Sequence, residues 1–406
     1  MRSAVVASVL RTPIGRAGKG TLREVRPDDL VAGVIARAVA ESGLDPDLLD
    51  DHVLGTGYPE GVQGYNLARR AGLLAGLGTR LPGTTVTRFC ASSLQATRIA
   101  THAIMTGEAT AYLVSGVESV SQVGRTLQEE HKHPDLSAAG AFADVYVSMG
   151  VTAENVASAY SVAREDMDRW AVESHRRALA ATQSGFFARE ILAVDTPDGA
   201  VTLDDGPRPD TSFEKLASLK PAFLENGAVT AGNSCPLNDG AVAAVIVDEE
   251  LAERQGLPVR ARILGTSVSG LDPSLMGVGP IEAVRSLLER MKLSIEDIDV
   301  VELNEAFASQ VLAVSRVLGI DTEHQLNPHG GALALGHPFG MTGLRLVGTL
   351  INELEDRGGR YGLATLCDGG GQGMALLLER IGAPAVVQVV AVKPPSIVMI
   401  SPVTNG

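Results

Sequence analysis

The order of strand-like and helix-like segments occurs twice along this chain, and two like halves in one polypeptide leave few ways to fold. The first residues alternate like a strand. After Pro27, residues Leu30, Val31, Val34, Ile35, Ala38 and Val39 recur at helical spacing and stop at Gly43. Strands are predicted at 52–56, 84–87 and 111–115, with helices over 66–77 and 91–106 between them. From Arg260 the order restarts: strand 260–268, helix 280–292, strand 300–303, helices 305–318 and 340–357, and strands 361–366 and 374–379. The local match is Leu44-Asp45-Pro46-Asp47-Leu48-Leu49-Asp50 against Leu293-Ser294-Ile295-Glu296-Asp297-Ile298-Asp299, with Leu54 and Leu303 four residues past the last Asp. Strands alternating with helices imply the α/β class, with a mixed or parallel sheet covered by helices.

Between the halves, residues 120–237 break the rhythm. They carry charged helices, including 164–184 ended by Gly185, and a Pro/Gly/Asp-rich passage at 196–211. Such an insert suits a lid or ligand-binding subdomain. Asn238 to Val247 turns apolar again and is expected to return to the first half's sheet. The expected domains are 1–119 plus 238–259, the insert 120–237, the second half 260–382, and a tail at 383–406 with no assigned role. An exposed tail and an extra edge strand are both compatible with that last stretch.

Composition removes several classes of function. A formal net charge of -14, with no Lys/Arg run longer than a pair, disfavours nucleic-acid binding. The three cysteines, Cys90, Cys235 and Cys367, are odd in number and widely spaced, which fits neither a disulfide framework nor a zinc ribbon. Residues 4–10 are too short for a signal peptide, and no stretch reaches the ~18 apolar residues of a membrane span. The expectation is a cytoplasmic protein that does not enter a membrane. Glycine, 45 of 406 residues, exceeds the ~7% usual share, so several sites need tight turns or close backbone approach.

Cys90 lies in Arg88-Phe89-Cys90-Ala91-Ser92-Ser93-Leu94, between a predicted strand and a helix whose first amides would favour a thiolate. Alone, it reads as a buried structural cysteine opening a helix rather than as a catalytic one. In the second half, Asn304-Glu305-Ala306-Phe307-Ala308 follows a strand, Gly330-Gly331-Ala332-Leu333-Ala334-Leu335-Gly336-His337-Pro338 is a small-residue loop, and Cys367-Asp368-Gly369-Gly370-Gly371 ends a strand. Each has a bland reading: Asn304 as a helix cap, His337 as a core histidine, the glycines as a hairpin. A nucleotide loop at 369–373 is disfavoured because strands flank it on both sides. His131 and His133 read as surface residues rather than metal ligands.

Taken together, these segments resemble the thiolase family, as do Ala231-Gly232-Asn233 and Leu237-Asn238-Asp239-Gly240, in the family's order from residue 1 to about 382. The resemblance implies duplicated αβαβα layered halves with an inserted lid. It implies an acyl-CoA:acetyl-CoA C-acyltransferase that condenses acyl-CoAs or cleaves 3-ketoacyl-CoA, of the kind used in fatty acid metabolism. Cys90 would be the acylated nucleophile, activated by His337, and Cys367 would move the proton. Oxyanions would be met by His337 with an Asn304-held water, and by the amides of Cys90 and Gly369. The insert would hold coenzyme A, with Arg208 contacting the coenzyme, Met149 and Phe223 lining the pantetheine tunnel and Cys235 near its inner end. No permanent cofactor or metal is implied. Coenzyme A would be substrate and product, and the chain a homo-oligomer, dimer or tetramer.

Three departures bear on substrate choice: Ser148 where acetoacetyl-CoA-forming members have histidine, Cys235 at a position commonly serine, and Asp368 where a small or apolar residue is usual. A carboxylate at 368 would raise the neighbouring thiol's pKa by repulsion. The alternative to an enzyme is a thiolase-like protein that binds acyl-CoA or lipid without chemistry. A decarboxylating ketoacyl synthase would need a second histidine where Cys367 stands.

Overall fold

The computed structural model describes residues 2–123, 132–137 and 143–382. The tail from 383 onward and His131 lie outside them. Described strands are β1 (Ala4–Arg11), β2 (Gly15–Arg16), β3 (Asp51–Gly55), β4 (Thr84–Val86), β5 (Ala111–Ser119), β6 (Val194–Thr196), β7 (Gly199–Val201), β8 (Asn238–Asp248), β9 (Ala261–Gly270), β10 (Val300–Leu303), β11 (Tyr361–Asp368) and β12 (Gln372–Arg380). One sheet runs β10-β11-β12-β9-β1-β8-β5-β3-β4, with β2 beside β8. From the central seam outward, β1-β8-β5-β3 is answered by β9-β12-β11-β10. The pairs β3/β5 and β10/β11 are parallel, and β5/β8 and β11/β12 are antiparallel. The seam is β1 against β9, through Val5↔Arg262 and Val6↔Ala261.

The repeated seven-residue segment has a structural job. Its last residue, Asp50 or Asp299, takes two backbone amides on one carboxylate oxygen: Thr110 and Ala111 at 2.7 and 3.0 Å in the first half, Arg360 and Tyr361 at 2.7 and 2.8 Å in the second. Each aspartate thereby fixes the start of the parallel neighbour, β5 or β11. A 3-10 turn precedes each, Pro46–Leu48 and Ile295–Asp297.

Two central helices, Ser92–Thr106 and Phe339–Arg357, pack on each other and against strands of both halves. Leu94, Leu344 and Leu350 share their core with Val114, Val242, Ala364 and Leu366. Burying such side chains contributes about 1.5–3 kcal/mol each. Gly343 permits the close approach, since a Cβ there would lie 2.7 Å from that of Leu94. The opposite faces are covered by outer helices, Pro27–Ser42 on β8 and Gly279–Met291 on β9 and β12. The layers are therefore helix, strand, helix, strand, helix. β8 is buried along its length, which is why it reads as an unbroken apolar run.

The insert contains helices Met149–Ala159 and Arg164–Ser184, the latter closed by Gly185 at φ 79°, and the β6/β7 hairpin. Buried Arg11 latches it to the first half, with Nη1 and Nη2 on Asp204 at 2.7 and 2.9 Å and Nε on Glu190 at 2.7 Å. One helix differs from expectation. The segment predicted at 305–318 begins at Ala308, and its cap residue Phe307 is extended at φ -148° and ψ 144°. Asn304 therefore lies before the cap, on non-helical backbone, where its side chain is available to another element.

Candidate active site

Cys90 sits in the 3-10 turn Phe89–Ala91, one turn before the helix that starts at Ser92. Phe89 holds φ at 42°, a left-handed conformation that L residues rarely adopt and that cramped functional turns retain. Ser92 stabilises the turn by accepting the Arg88 amide at 2.9 Å and donating to the Phe89 carbonyl at 2.6 Å. Gly369 closes against it from β11's end; a Cβ there would be 3.0 Å from the Phe89 ring.

His337 is buried and held at three points. Its amide donates to Asn238 Oδ1 at 2.9 Å. Its Nδ1 lies 2.7 Å from Thr342 Oγ1, whose own proton goes to the Pro338 carbonyl at 2.8 Å. The Thr342 oxygen can then only accept, so the imidazole proton resides on Nδ1 and Nε2 keeps its lone pair. Asn304 Nδ2 approaches that Nε2 at 3.4 Å, while Asn304 Oδ1 is buried without a protein partner. Gly336, at φ 109°, is required here because a Cβ would lie 2.5 Å from the Asn238 amide.

Cys367 is 1% exposed on β11 and packs with Met276, Ala306 and Phe307, so it borders the Asn304 segment. The charges of Cys367, Asp368, Cys235 and Glu118 act on Cys90, and those of Asp368 and Cys235 act on Cys367, so the site draws these groups together. Burial, first, and then the charges of Cys367 and Asp368 push the Cys90 thiol well above its ordinary range. This raising of the half-buried Cys90, a turn ahead of the helix start, runs against the lowering expected from the helix amides. Burial likewise raises Cys367, followed by Asp368 and Cys235. Burial, with Arg345's charge second, brings His337 down to about 3. The site rests as two neutral thiols beside a neutral imidazole with a fixed acceptor nitrogen.

Residues 4–250 match the family described as Thiolase, N-terminal domain, and residues 257–380 match Thiolase, C-terminal domain. The chain belongs to the thiolase family. It is similar to beta-ketoadipyl-CoA thiolase of Pseudomonas aeruginosa, 44% identical over 94% of this chain and 100% of the relative. It is also similar to 3-ketoacyl-CoA thiolase of Bacillus subtilis, 42% identical over 93% and 100%. Among solved structures, human mitochondrial 3-ketoacyl-CoA thiolase in complex with CoA superposes with a TM-score of 0.86 at 34% identity, covering 94% of this chain and 98% of that one. This thiolase is accordingly an acyltransferase with a mixed α/β thiolase fold.

Three of the four insert residues named from sequence gather at the thiol cleft of this thiolase. Met149 borders the Cys367 cluster, Phe223 meets Phe307 edge-on at 6.1 Å, and the Cys235 amide donates to the Ala306 carbonyl at 3.0 Å. Gly150 makes room for the Phe223 ring, which a Cβ would meet at 2.0 Å. Arg208 lies elsewhere, exposed on the insert, with its amide 3.2 Å from His175 Nδ1 and its charge acting on His175 together with Arg16's. His133 is exposed. Among the described residues no group of three or more His, Cys, Asp or Glu could hold a metal ion.

Sequence reasoning missed the supports. Glu118 accepts from the amides of Gly57, Tyr58 and Gly340 and from Gln63, tying the first half to the helix beyond His337. Glu305 accepts from Trp170, Ser174, Asn327 and the Leu333 amide, tying the insert to the glycine-rich loop. Their type gave a signal, since carboxylates inside otherwise apolar runs need donors, but no sequence spacing names those donors.

Proposed function

We propose that this thiolase works through an acyl thioester on Cys90. His337 Nε2 takes the Cys90 proton as the sulfur attacks the thioester carbonyl, and Cys367 gives its proton to the departing coenzyme A, which leaves as its thiol and leaves Cys367 as a thiolate. The Cys367 thiolate then removes a proton from the α carbon of a second acyl-CoA, the carbanion attacks the acyl group on Cys90, and the released Cys90 sulfur recovers its proton from His337. In the cleavage direction Cys367 returns that proton and coenzyme A takes the acyl group from Cys90. His337, together with a water held by Asn304, meets one oxyanion, and the amides of Cys90 and Gly369 meet the other. The observation that carries this reading is the fixed tautomer of His337, which leaves an unprotonated acceptor in the cleft that two otherwise protonated thiols need.

The substrates are acyl-CoAs, with coenzyme A as substrate and product, bound along Met149, Phe223 and Cys235 with Arg208 toward the coenzyme's polar end. Support comes from the names of the relatives above and from the apolar lining of that path. We assign the ligand-binding lid to 120–237, between halves 1–119 plus 238–259 and 260–382. The unit in solution is a homo-oligomer, dimer or tetramer, paired through β4. That strand ends the sheet, and Tyr65 (93% exposed), Leu74 (56%) and Phe89 (41%) surround it. Its thiols suit a reducing cytoplasm, and no helix among the described residues is long and apolar enough to cross a membrane.

Two variants separate the roles. Acetyl-CoA should leave an acetyl group on wild-type protein, seen by intact mass, and Cys90→Ala should lack it. Cys367→Ala should still acetylate while losing condensation and solvent deuterium exchange into the acetyl-CoA methyl. An undiminished adduct in Cys90→Ala, or wild-type exchange in Cys367→Ala, refutes the assignment.

A further inference from the structure

Side chains alternate along β11. Ala364 and Leu366 face the core containing Leu94 and Leu344, whereas Leu363 and Cys367 face the other way, toward Ile281 and Met276 respectively. Asp368 therefore shares the Ala364 face and looks toward the turn that carries Cys90, to which β11 packs. It is 0% exposed, and neither carboxylate oxygen has a hydrogen-bond partner. Arg88, whose charge acts on it, makes its hydrogen bonds elsewhere, with Nε on Gln95 at 3.0 Å and Nη1 on Gln372 at 2.7 Å.

The duplication supplies an internal comparison. Ala111 and Tyr361 are the equivalent clasped residues of β5 and β11, and seven residues on stand Glu118 and Asp368. Glu118 has three amides and a glutamine to solvate its charge. Asp368, in the same position of the other half, has none. An ionised carboxylate so placed bears its full desolvation cost, while a neutral acid does not.

We propose that Asp368 is a positioning residue for the reaction, acting through Cys90 and Cys367: it serves as a neutral acid, and its ionisation suppresses both thiolates. Arg88 on the facing turn bears on it, and it bears in turn on Cys367 beside it and on Cys90, whose thiol also feels Cys235 and Glu118. Burial pushes Asp368 up to about 8, with Arg88 pulling the other way. Below that pH it is uncharged and leaves the thiols alone. Above it, a negative charge opposes formation of a second one on either sulfur.

This rests on the assignment of Cys90 and Cys367 to acyl and proton transfer, so the test reads the sulfur separately from turnover. Iodoacetamide alkylation of Cys90, followed by peptide mass spectrometry from pH 6 to 10, compares wild type with Asp368→Asn. The variant should alkylate about tenfold faster at pH 9.5, the size of one pKa unit, and within about twofold of wild type at pH 6. Exchange of deuterium into the acetyl-CoA methyl should decline above pH 8 in wild type but not in the variant. Infrared spectroscopy of Glu302→Gln protein, which lacks the other buried carboxyl raised to about 8, should still show a protonated-carboxyl band at pH 7 that titrates near 8, a measurement that stands even if the Asp368 variant does not fold. Superimposable alkylation profiles, or no such band at pH 6, overturn the proposal. If alkylation differs while exchange is absent from both proteins, the tuning stands and the role of Cys367 falls.

Discussion

Replacing Thr342 with valine isolates the tautomer of His337. Thr342 is 2% exposed in the first turn of the helix that follows His337, and valine matches its shape, so packing is kept. The substitution removes the 2.7 Å acceptor of the Nδ1 proton. Leaving that buried N–H unpaired costs about 1–3 kcal/mol. The imidazole escapes the cost by moving its proton to Nε2, the nitrogen proposed above to accept from Cys90. At 1.4 kcal/mol per tenfold, the productive tautomer falls by about 5- to 150-fold. Turnover with saturating 3-ketoacyl-CoA and coenzyme A should fall by that factor, with KM little changed because no substrate contact is lost. Nitrogen-15 NMR of the imidazole should report the proton on Nε2, and Thr342→Ser should restore both readings. A Thr342→Val protein with its proton on Nε2 and turnover within twofold of wild type would refute the reasoning.

Gly336→Ala should destabilise the protein by about 2 kcal/mol or more, from left-handed strain and from overlap with Asn238; denaturant unfolding checks this, and a loss under 0.5 kcal/mol contradicts it. Burial lowers His52 to about 4, and burial with the charges of Arg208 and Arg16 lowers His175 to about 4. With folded values below the unfolded 6.5, their stability is full above pH 6.5 and is lost as pH falls toward 4, on the order of 2 kcal/mol each at pH 5. His52→Gln should flatten that acid slope in unfolding curves. Arg208→Ala should raise KM for coenzyme A more than it lowers kcat, and the reverse pattern in steady-state kinetics counts against a binding role.

Much of the architecture was legible because it rests on periodicity. The two halves appear in the sequence as repeated element order, and the one local match, ending in Asp50 and Asp299, survives because each aspartate must hold two strand amides. The start of the helix after Asn304 was misread because Glu305, Ala306 and Phe307 suit a helix by composition. The extended backbone there answers to distant partners, including the Cys235 amide on the Ala306 carbonyl. At the site, residue types in motifs pointed to Cys90, His337 and Cys367, but their charge states depend on burial and on neighbours hundreds of residues away. Helix position suggested an acidified Cys90; burial and the charges of Cys367, Asp368, Cys235 and Glu118 push the other way. The roles of Thr342 and Asn238 as holders of His337 were invisible for the same reason, since hydroxyls and amides carry no mark of what they bind.

The two central helices occupy equivalent places in the two halves, yet the turn entering one carries Cys90 and the turn entering the other carries His337. Were the halves separate, identical chains assembled in pairs, every turn would appear twice and any substitution would act on both at once. Joined across β1 and β9, they are addressed singly. A thiol and an imidazole can therefore occupy corresponding turns across what is geometrically a pseudo-twofold axis, and a mutation that changes one turn does not have to be tolerated by the other.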